Sequence, residues 1–191
     1  CDEIKRRAAA LTGIPAERML IAATHTHSAP SVMDHCLGTM RDEAYTAQMI
    51  PQVAEAIAKA HGRLEPAVVG AAAVDAWEHT HCRRWIKRTD RIAADPFGNP
   101  TVGAMMHPRP LTDYVGPAGP VDPALTVLSV ARPDGRPLAL VANFSMHYLG
   151  AKGVSPDYFG PFATAVEEAL EKEFPGSGCV AMMSQGTSGD L

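Results

Sequence analysis

The sequence lacks a long apolar run and a paired cysteine motif, and each absence excludes a class of protein. No run approaches the roughly 18 apolar residues that a membrane-spanning helix needs, so no transmembrane segment is predicted. The four cysteines, at positions 1, 36, 82 and 179, form no CxxC pair, which excludes a zinc ribbon or a thioredoxin-like redox motif. We expect each of them to be a small buried or inert side chain.

The sequence also has no excess of basic residues over acidic ones. Lysine and arginine number 17 against 21 aspartates and glutamates, for a net charge of -4. Binding to nucleic acid, or to a membrane surface through a basic patch, requires a positively charged face. The sequence therefore predicts neither kind of partner.

The composition is typical of a globular domain. The 191 residues are 46% hydrophobic and 20% charged, which suits one domain with a real core. The chain begins with Cys1 and stops at Leu191, in a run of small residues typical of a functional loop. We interpret residues 1–191 as a single domain and as an internal fragment of a longer protein, whose missing start would hide any signal peptide.

Hydrophobic periodicity predicts three helices and five strands. The helices are predicted at 2–12, 42–61 and 157–174, and the strands at 19–23, 66–74, 125–131, 138–144 and 179–183. The first two strands are continuous apolar runs, typical of strands buried on both faces. Asp134-Gly135 predicts an antiparallel hairpin between the third and fourth strands. The combination predicts an α/β fold with a mixed β-sheet core flanked by helices, and with functional loops at strand ends.

Two histidines directly follow the first predicted strand. His25 and His27 are two residues apart, so in a strand both imidazoles would point to one face and could line one pocket. Neutral imidazole is a common zinc ligand. His147 also follows an apolar strand and strengthens this interpretation, because α/β proteins place their chemistry at strand ends. The alternative is that neighbouring hydroxyl groups satisfy two buried structural histidines.

Other polar residues have weaker claims to the site. His79 and His81 repeat the spacing but follow a polar segment, which favours surface or packing roles. His35, His61 and His107 are predicted at loops or helix ends. Asn143, Asp157 and Asp190 are candidate partners for metal ligands, although Asp157 fits better as the N-cap of the third helix. The loop containing Gly186 and Gly189 is either a tight turn or a source of backbone N–H donors for a reacting carbonyl.

The block 24–30 (THTHSAP) closely resembles a signature motif of the neutral/alkaline non-lysosomal ceramidase family. Cys82-Arg83-Arg84 resembles the arginine motif of that family, with Arg83 or, one position later, Arg84 as the arginine, although asparagine commonly stands where Cys82 does. Further blocks follow in the order of the family, at 117–123, 143–147, 155–160 and 184–190. The chain departs from the family in its residues 29–34, which replace a glycine-rich stretch.

The resemblance implies a zinc enzyme that hydrolyses the amide bond of ceramide to a fatty acid and sphingosine. It implies His25 and His147 as zinc ligands, His27 as a histidine that assists the reaction, and Arg83 as the arginine that lines the site. The remaining ligands of the family, a glutamate and a tyrosine, lie outside residues 1–191, so we expect the isolated chain to be inactive. The resemblance also suggests a secreted or periplasmic protein.

The predicted function is zinc-dependent hydrolysis of ceramide or a related N-acyl lipid. One alternative is a metal-dependent amidohydrolase built on a parallel (β/α)8 barrel and acting on another class of substrate, since such barrels also place an HxH motif after the first strand. The predicted hairpin argues against that barrel. The other alternative is a catalytically inactive domain that binds a lipid or a metal.

Overall fold

The computed structural model describes residues 1–36, 38–100, 104–106 and 108–191, and it has a mixed α/β architecture. Three helices form where the periodicity predicts them: α1 at Asp2–Thr12, α2 at Glu43–His61 and α3 at Phe159–Glu173. His107, predicted at a loop or a helix end, lies outside the described residues. No helix in the described part of the chain is both long and apolar enough to span a membrane.

Local signals end and begin these helices. Gly13 ends α1 in the left-handed conformation, with φ of 73°, and its N–H donates to the carbonyl of Ala9. A residue with a Cβ adopts that conformation at a cost, which is why glycine is common there. Asp42 caps α2 by accepting a hydrogen bond from the backbone N–H of Tyr45.

The described residues contain nine strands in three sheets. The strands are β1 His35–Cys36, β2 Thr39–Met40, β3 Val68–Asp75, β4 Arg84–Lys87, β5 Ala104–Met106, β6 Tyr114–Pro117, β7 Ala124–Ala131, β8 Pro137–Phe144 and β9 Val180–Gln185. The largest sheet has the order β3-β7-β8-β9, and the smaller ones are β5-β4-β6 and β1-β2. Strands β3, β7 and β8 pair antiparallel, whereas β8 and β9 pair parallel. The predicted mixed sheet is therefore confirmed, and its antiparallel pairs differ from the parallel barrel considered above.

The hairpin between β7 and β8 forms as predicted. Gly135 has φ of 89°, and the backbone N–H of Arg132 donates to the carbonyl of Arg136 at 2.8 Å. The side chain of Asp134 accepts a further bond from the N–H of Arg136. This turn places β8 at the centre of the sheet, beside β9.

The core has two parts. Helix α3 packs on the four-stranded sheet through Ala142, Phe144, Phe159 and Met183, which are all buried. A second cluster joins α1 to α2 through buried apolar side chains. Cys82 and Cys179 are buried and unpaired, in agreement with the expectation for them, whereas Cys1 is exposed.

Two strand predictions need correction. Residues 19–23 form no strand: Met19 and Ile21 pack against the cluster of α1 and α2, and Leu20 is 90% exposed. The strand predicted at 66–74 forms as β3, Val68–Asp75, but every residue of β3 is exposed. Strand β3 is the edge of its sheet, so apolar content alone was a poor guide to burial.

The parallel pairing of β8 with β9 determines where the site lies. Their register places Asn143 opposite Ser184 and Phe144 opposite Gln185, so both strands end at the same edge of the sheet. The loop after β8 carries His147, and the loop after β9 carries Gly186 to Asp190.

Candidate metal centre

Three histidines from two distant parts of the chain converge at this edge. His25, His27 and His147 each offer a ring nitrogen, and these three atoms lie within 4.8 Å of one another. The Nε2 atoms of His25 and His27 are 3.2 Å apart. The structure thus brings together all three histidines that the sequence analysis placed in the site.

The backbone that brings His25 and His27 together is not the one predicted. They lie in an irregular segment instead of at a strand end, and His25 has a left-handed backbone with φ of 62°. This conformation is costly for a residue with a Cβ and persists where the surrounding structure enforces it, often at functional sites. The two ring centroids end 4.7 Å apart in an edge-to-face arrangement.

Hydrogen bonds tie this irregular segment to the loop that follows His147. The hydroxyl of Thr26 donates to the carbonyl of Ser155 at 3.2 Å, and the N–H of Ser155 donates to the carbonyl of Ser28 at 2.9 Å. The buried hydroxyl of Ser28 donates to the carbonyl of Ala151 at 2.9 Å. Thr26 and Ser28 alternate with His25 and His27 along the chain, so these bonds hold both imidazoles beside His147.

A backbone carbonyl orients His147. Its Nδ1 lies 2.9 Å from the carbonyl oxygen of Ser188, which can only accept, so Nδ1 carries the proton and Nε2 keeps its lone pair. Burial lowers the pKa of His147, and the nearby charge of Arg83 lowers it further. Both effects favour the neutral imidazole, which is the form that binds a metal.

The predicted polar partners have other roles. The side-chain amide of Asn143 donates to the hydroxyl of Ser184, and Asp190 forms an ion pair with Arg84. The carbonyl of Ser188 takes the role predicted for them. Sequence alone could not indicate this, since every residue has a carbonyl group.

Asp157 is not the N-cap of α3, which begins at Phe159 without a side-chain cap. Its carboxylate accepts hydrogen bonds from the backbone N–H groups of Leu149, Gly150 and Tyr158 at 2.8 to 2.9 Å. Burial opposes its ionisation, but these three donors outweigh that effect and lower the pKa of Asp157. The carboxylate thus fixes the loop that carries His147.

A buried polar network supports the loop after β9. Ser145, which is 0% exposed, contacts Asp122 Oδ2 and Thr187 Oγ1 at 3.1 Å each, and its oxygen accepts the N–H of Thr187 at 3.0 Å. Gly186 passes so close that a Cβ there would lie 2.5 Å from the hydroxyl oxygen of Ser145. Of the two interpretations of this loop, the structure supports a close-packed turn, and Gly186 is its tightest point.

Arg83 lies at the same loop. Its Nη2 and Nε donate to the carbonyl of Gly189 at 2.8 and 3.1 Å, and its backbone N–H donates to the carbonyl of Asp190. Arg83 and His147 line one cavity of about 260 Å³. The arginine expected in the site is therefore beside it.

Tyr148 is a site residue that the sequence analysis missed. Its ring stacks on His27, with centroids 3.8 Å apart and an interplanar angle of 20°. Position next to His147 was its only signal in the sequence. His81, assigned to surface or packing, also lines the cavity with Arg83.

The imidazole cluster has the donors for a zinc ion. Zinc binds imidazole nitrogen at 2.0 to 2.1 Å in tetrahedral geometry, so two such ligands lie about 3.3 Å apart. The ring nitrogens of His25 and His147, the two expected ligands, lie within 4.8 Å of each other, so small side-chain movements bring both to one ion. His27 Nε2 lies beside them, 3.2 Å from His25 Nε2. Other imidazole-binding transition metals would accept the same donors.

Comparison with known proteins gives a structural match. No protein-family model and no curated protein sequence matches the chain. The neutral ceramidase from Pseudomonas aeruginosa superposes with a TM-score of 0.61 and 19% identity, covering 99% of this chain and 29% of that one. The chain has the fold of a part of neutral ceramidase. A ceramidase complexed with C2 superposes with a TM-score of 0.60 and 19% identity, over 99% of this chain and 28% of that one.

The ceramidase fold agrees with the resemblance noted in the sequence motifs. The chain spans less than a third of the length of either ceramidase structure. At this level of identity the match establishes the fold.

Proposed function

We propose that this chain is part of a zinc-dependent hydrolase that cleaves the amide bond of ceramide or a related N-acyl lipid. The products would be a fatty acid and a sphingoid base or other amine. One observation carries the proposal: His25, His27 and His147 converge within 4.8 Å in a chain with a ceramidase fold.

His25 and His147 are the residues that would hold the metal. The carbonyl of Ser188 fixes the tautomer of His147. The left-handed backbone of His25 directs the His25 ring towards His147. A bound Zn²⁺ would supply a hydroxide near neutral pH and polarise the substrate carbonyl. Every other step is assigned to side chains of the protein.

His27 is assigned to proton transfer. Hydrolysis breaks the amide C–N bond and forms a C–O bond to a water oxygen, and the departing amine must gain a proton. Imidazole suits this task because its ordinary pKa is near neutral. The stack on Tyr148 orients the His27 ring for the transfer.

Arg83 is assigned to the negative charge that develops on the substrate carbonyl oxygen. Two bonds to the Gly189 carbonyl hold its guanidinium in place before the substrate arrives. A preorganised cation stabilises a developing oxyanion without a cost for reorganisation.

The surroundings suit an apolar substrate. Met146, Leu149 and Leu191 line the cavity that contains His147 and Arg83. Leu149 is 69% exposed, which leaves apolar surface at the mouth of the cavity. An acyl chain would cover this surface. From the family resemblance we also propose that the full-length protein is secreted or periplasmic, which cell fractionation tests.

The test is hydrolysis of a fluorescent N-acyl-sphingosine by the full-length protein. We expect turnover by the wild type and its loss in His25→Ala and His147→Ala, with His61→Ala as a control at the end of α2. A wild type that binds zinc but hydrolyses no N-acyl lipid would contradict the proposal and support the inactive binding domain.

A further inference from the structure

Two adjoining cavities form a groove that leads away from the candidate metal centre. The first, of about 260 Å³, contains His147. The second, of about 410 Å³, extends to Trp85 and Arg109. Both are lined by His81 and Arg83, which form the boundary between them. We call the two cavities together the basic groove.

The lining of the basic groove has one sign of charge. Arg83 and Arg109 line it together with His79 and His81, and none of its described lining residues is an aspartate or glutamate. The chain as a whole carries a net charge of -4, so the local excess of cations does not reflect overall composition.

The two arginines of the basic groove have no carboxylate partner among the described residues. Arg83 donates to the neutral carbonyl of Gly189, and Arg109 has no ion pair there. Two other arginines differ: Arg84 pairs with Asp190, and Arg91 pairs with Asp113. The charges of Arg83 and Arg109 are thus free to meet a ligand.

The acidic side chains near the groove, Glu78, Asp113 and Asp190, line neither cavity, and Asp113 and Asp190 pair with Arg91 and Arg84. Glu78 Oε1 is 3.7 Å from His79 Nε2, and both side chains are largely exposed. Glu78 lines neither cavity. Its charge is therefore directed at His79 and at solvent, while the part of the groove between Arg83 and Arg109 stays uncompensated.

Resting on the proposed hydrolase activity, we propose that the substrate is an N-acyl amide with an anionic group, a carboxylate or phosphate, near the amide nitrogen. Arg109 binds this anion, and the amide lies at the candidate metal centre. A guanidinium recognises two oxygens of a carboxylate or phosphate at once, which favours arginine for such sites. Trp85 and Leu111 provide apolar walls beside Arg109. A neutral ceramide would leave this charge without a partner.

The test compares three acyl amides with the full-length protein. N-dodecanoylglycine carries a carboxylate, N-dodecanoyl phosphoethanolamine carries a phosphate, and N-dodecanoylglycinamide is neutral. Release of dodecanoate measures kcat/KM for each. We expect about tenfold higher kcat/KM for one of the anions than for the neutral amide, since charge-assisted hydrogen bonds exceed neutral ones. The favoured anion identifies the source of the recognised charge.

Variants distinguish a specific loss of anion recognition from a general loss of activity. Arg109→Gln should reduce the preference to about threefold or less, because kcat/KM falls more for the anionic amide than for the neutral one. Arg63→Gln, an exposed arginine outside the basic groove, should leave the preference intact. Equal rates for all three compounds in the wild type, or an equal loss on all three in Arg109→Gln, would overturn the inference while the hydrolase proposal stands.

A binding measurement tests the inference even without turnover. The His25→Ala substitution removes a metal ligand and with it direct binding of the anion to the metal. Calorimetry with this variant then measures binding of each compound to the groove. We expect the same preference for an anionic compound, and its loss when Arg109→Gln is added. Equal or undetectable binding of all three compounds would overturn the inference. Failure of hydrolysis with the preference retained in binding would overturn only the proposed activity.

Discussion

The Nδ1 atom of His147 lies 2.9 Å from the carbonyl oxygen of Ser188. This contact joins the loops that follow the parallel strands β8 and β9, and it leaves the Nε2 lone pair of His147 available. The candidate metal centre therefore depends on the loop after β9, although that loop contributes none of the three imidazoles.

Substitution of Gly186 tests this dependence. In Gly186→Ala the new Cβ would lie 2.5 Å from the hydroxyl oxygen of Ser145, so the buried network and the Ser188 carbonyl must shift. We expect the protein to lose about 1–3 kcal/mol of stability, as for other overpacked sites. Zinc affinity, measured by competition with a chelator, should fall by about tenfold or more because the support of His147 moves.

Gly189→Ala is the matched control in the same loop. A Cβ at Gly189 would meet no atom within 4 Å. Its stability and zinc affinity should stay near those of the wild type. If both variants behave alike, the Ser145 network does not support the metal centre.

The stack of Tyr148 on His27 predicts a kinetic effect. Tyr148→Phe keeps an aromatic ring at 3.8 Å from the His27 ring, whereas Tyr148→Ala removes it. Because an aromatic pair contributes about 0.5–1.5 kcal/mol, we expect Tyr148→Ala to lower kcat about two- to tenfold. Zinc content should be unchanged in both variants, and Tyr148→Phe should retain most activity. Equal losses in both variants would assign the effect to the tyrosine hydroxyl instead.

The left-handed backbone of His25 predicts an unusual response to glycine. With φ of 62° at position 25, His25→Gly should be more stable than His25→Ala by about 1 kcal/mol, since glycine carries no penalty there. Both variants lack the ligand, so the comparison isolates the backbone. Thermal unfolding of the metal-free proteins measures the difference.

The same pair of substitutions at His27 serves as the control. His27 does not have a positive φ. His27→Gly should therefore be less stable than His27→Ala by about 0.5–1 kcal/mol, because glycine adds entropy to the unfolded chain. The same order of stability at both positions would contradict the strained conformation of His25.

Tyr158 predicts a loss of stability at alkaline pH. Burial, followed by the charge of Asp157, raises the pKa of Tyr158 to about 12, and its hydroxyl donates to the carbonyl of Met146 at 2.7 Å. Above pH 10 an unfolded tyrosine loses its proton while the folded Tyr158 keeps it. The unfolded state then binds fewer protons, so stability falls as the pH rises from 10 towards 12.

The measurement compares the wild type with Tyr158→Phe by denaturant unfolding at several pH values. Below pH 10 the wild type should be more stable by about 1 kcal/mol, the contribution of one hydrogen bond. That advantage should shrink between pH 10 and 12. A constant difference across this range would show that the phenol titrates normally in the folded protein.

Much of the fold was predictable because it depends on local patterns. The hairpin at Asp134-Gly135 and the end of α1 at Gly13 follow from turn and cap chemistry within a few residues. The segment 19–23 failed because an apolar run shows that burial is favoured without showing which partner provides it. Strand β3 formed as predicted, but its exposure depends on its place at the sheet edge.

The candidate site shows the same division. His25, His27 and His147 could be proposed from side-chain chemistry and from strand ends, and they do converge. The Ser188 carbonyl and the Tyr148 ring could not be ranked from sequence, because their roles arise from contacts between loops.

Zinc content shows whether His25 and His147 bind one metal ion. We would measure bound zinc per chain in the full-length protein, and in His25→Ala, His147→Ala and His27→Ala, after equilibration with a limiting concentration of zinc. We expect the wild type to bind zinc, His25→Ala and His147→Ala to lose one equivalent, and His27→Ala to keep it while losing turnover. Unchanged zinc content in His25→Ala and His147→Ala would show that these histidines do not hold the metal.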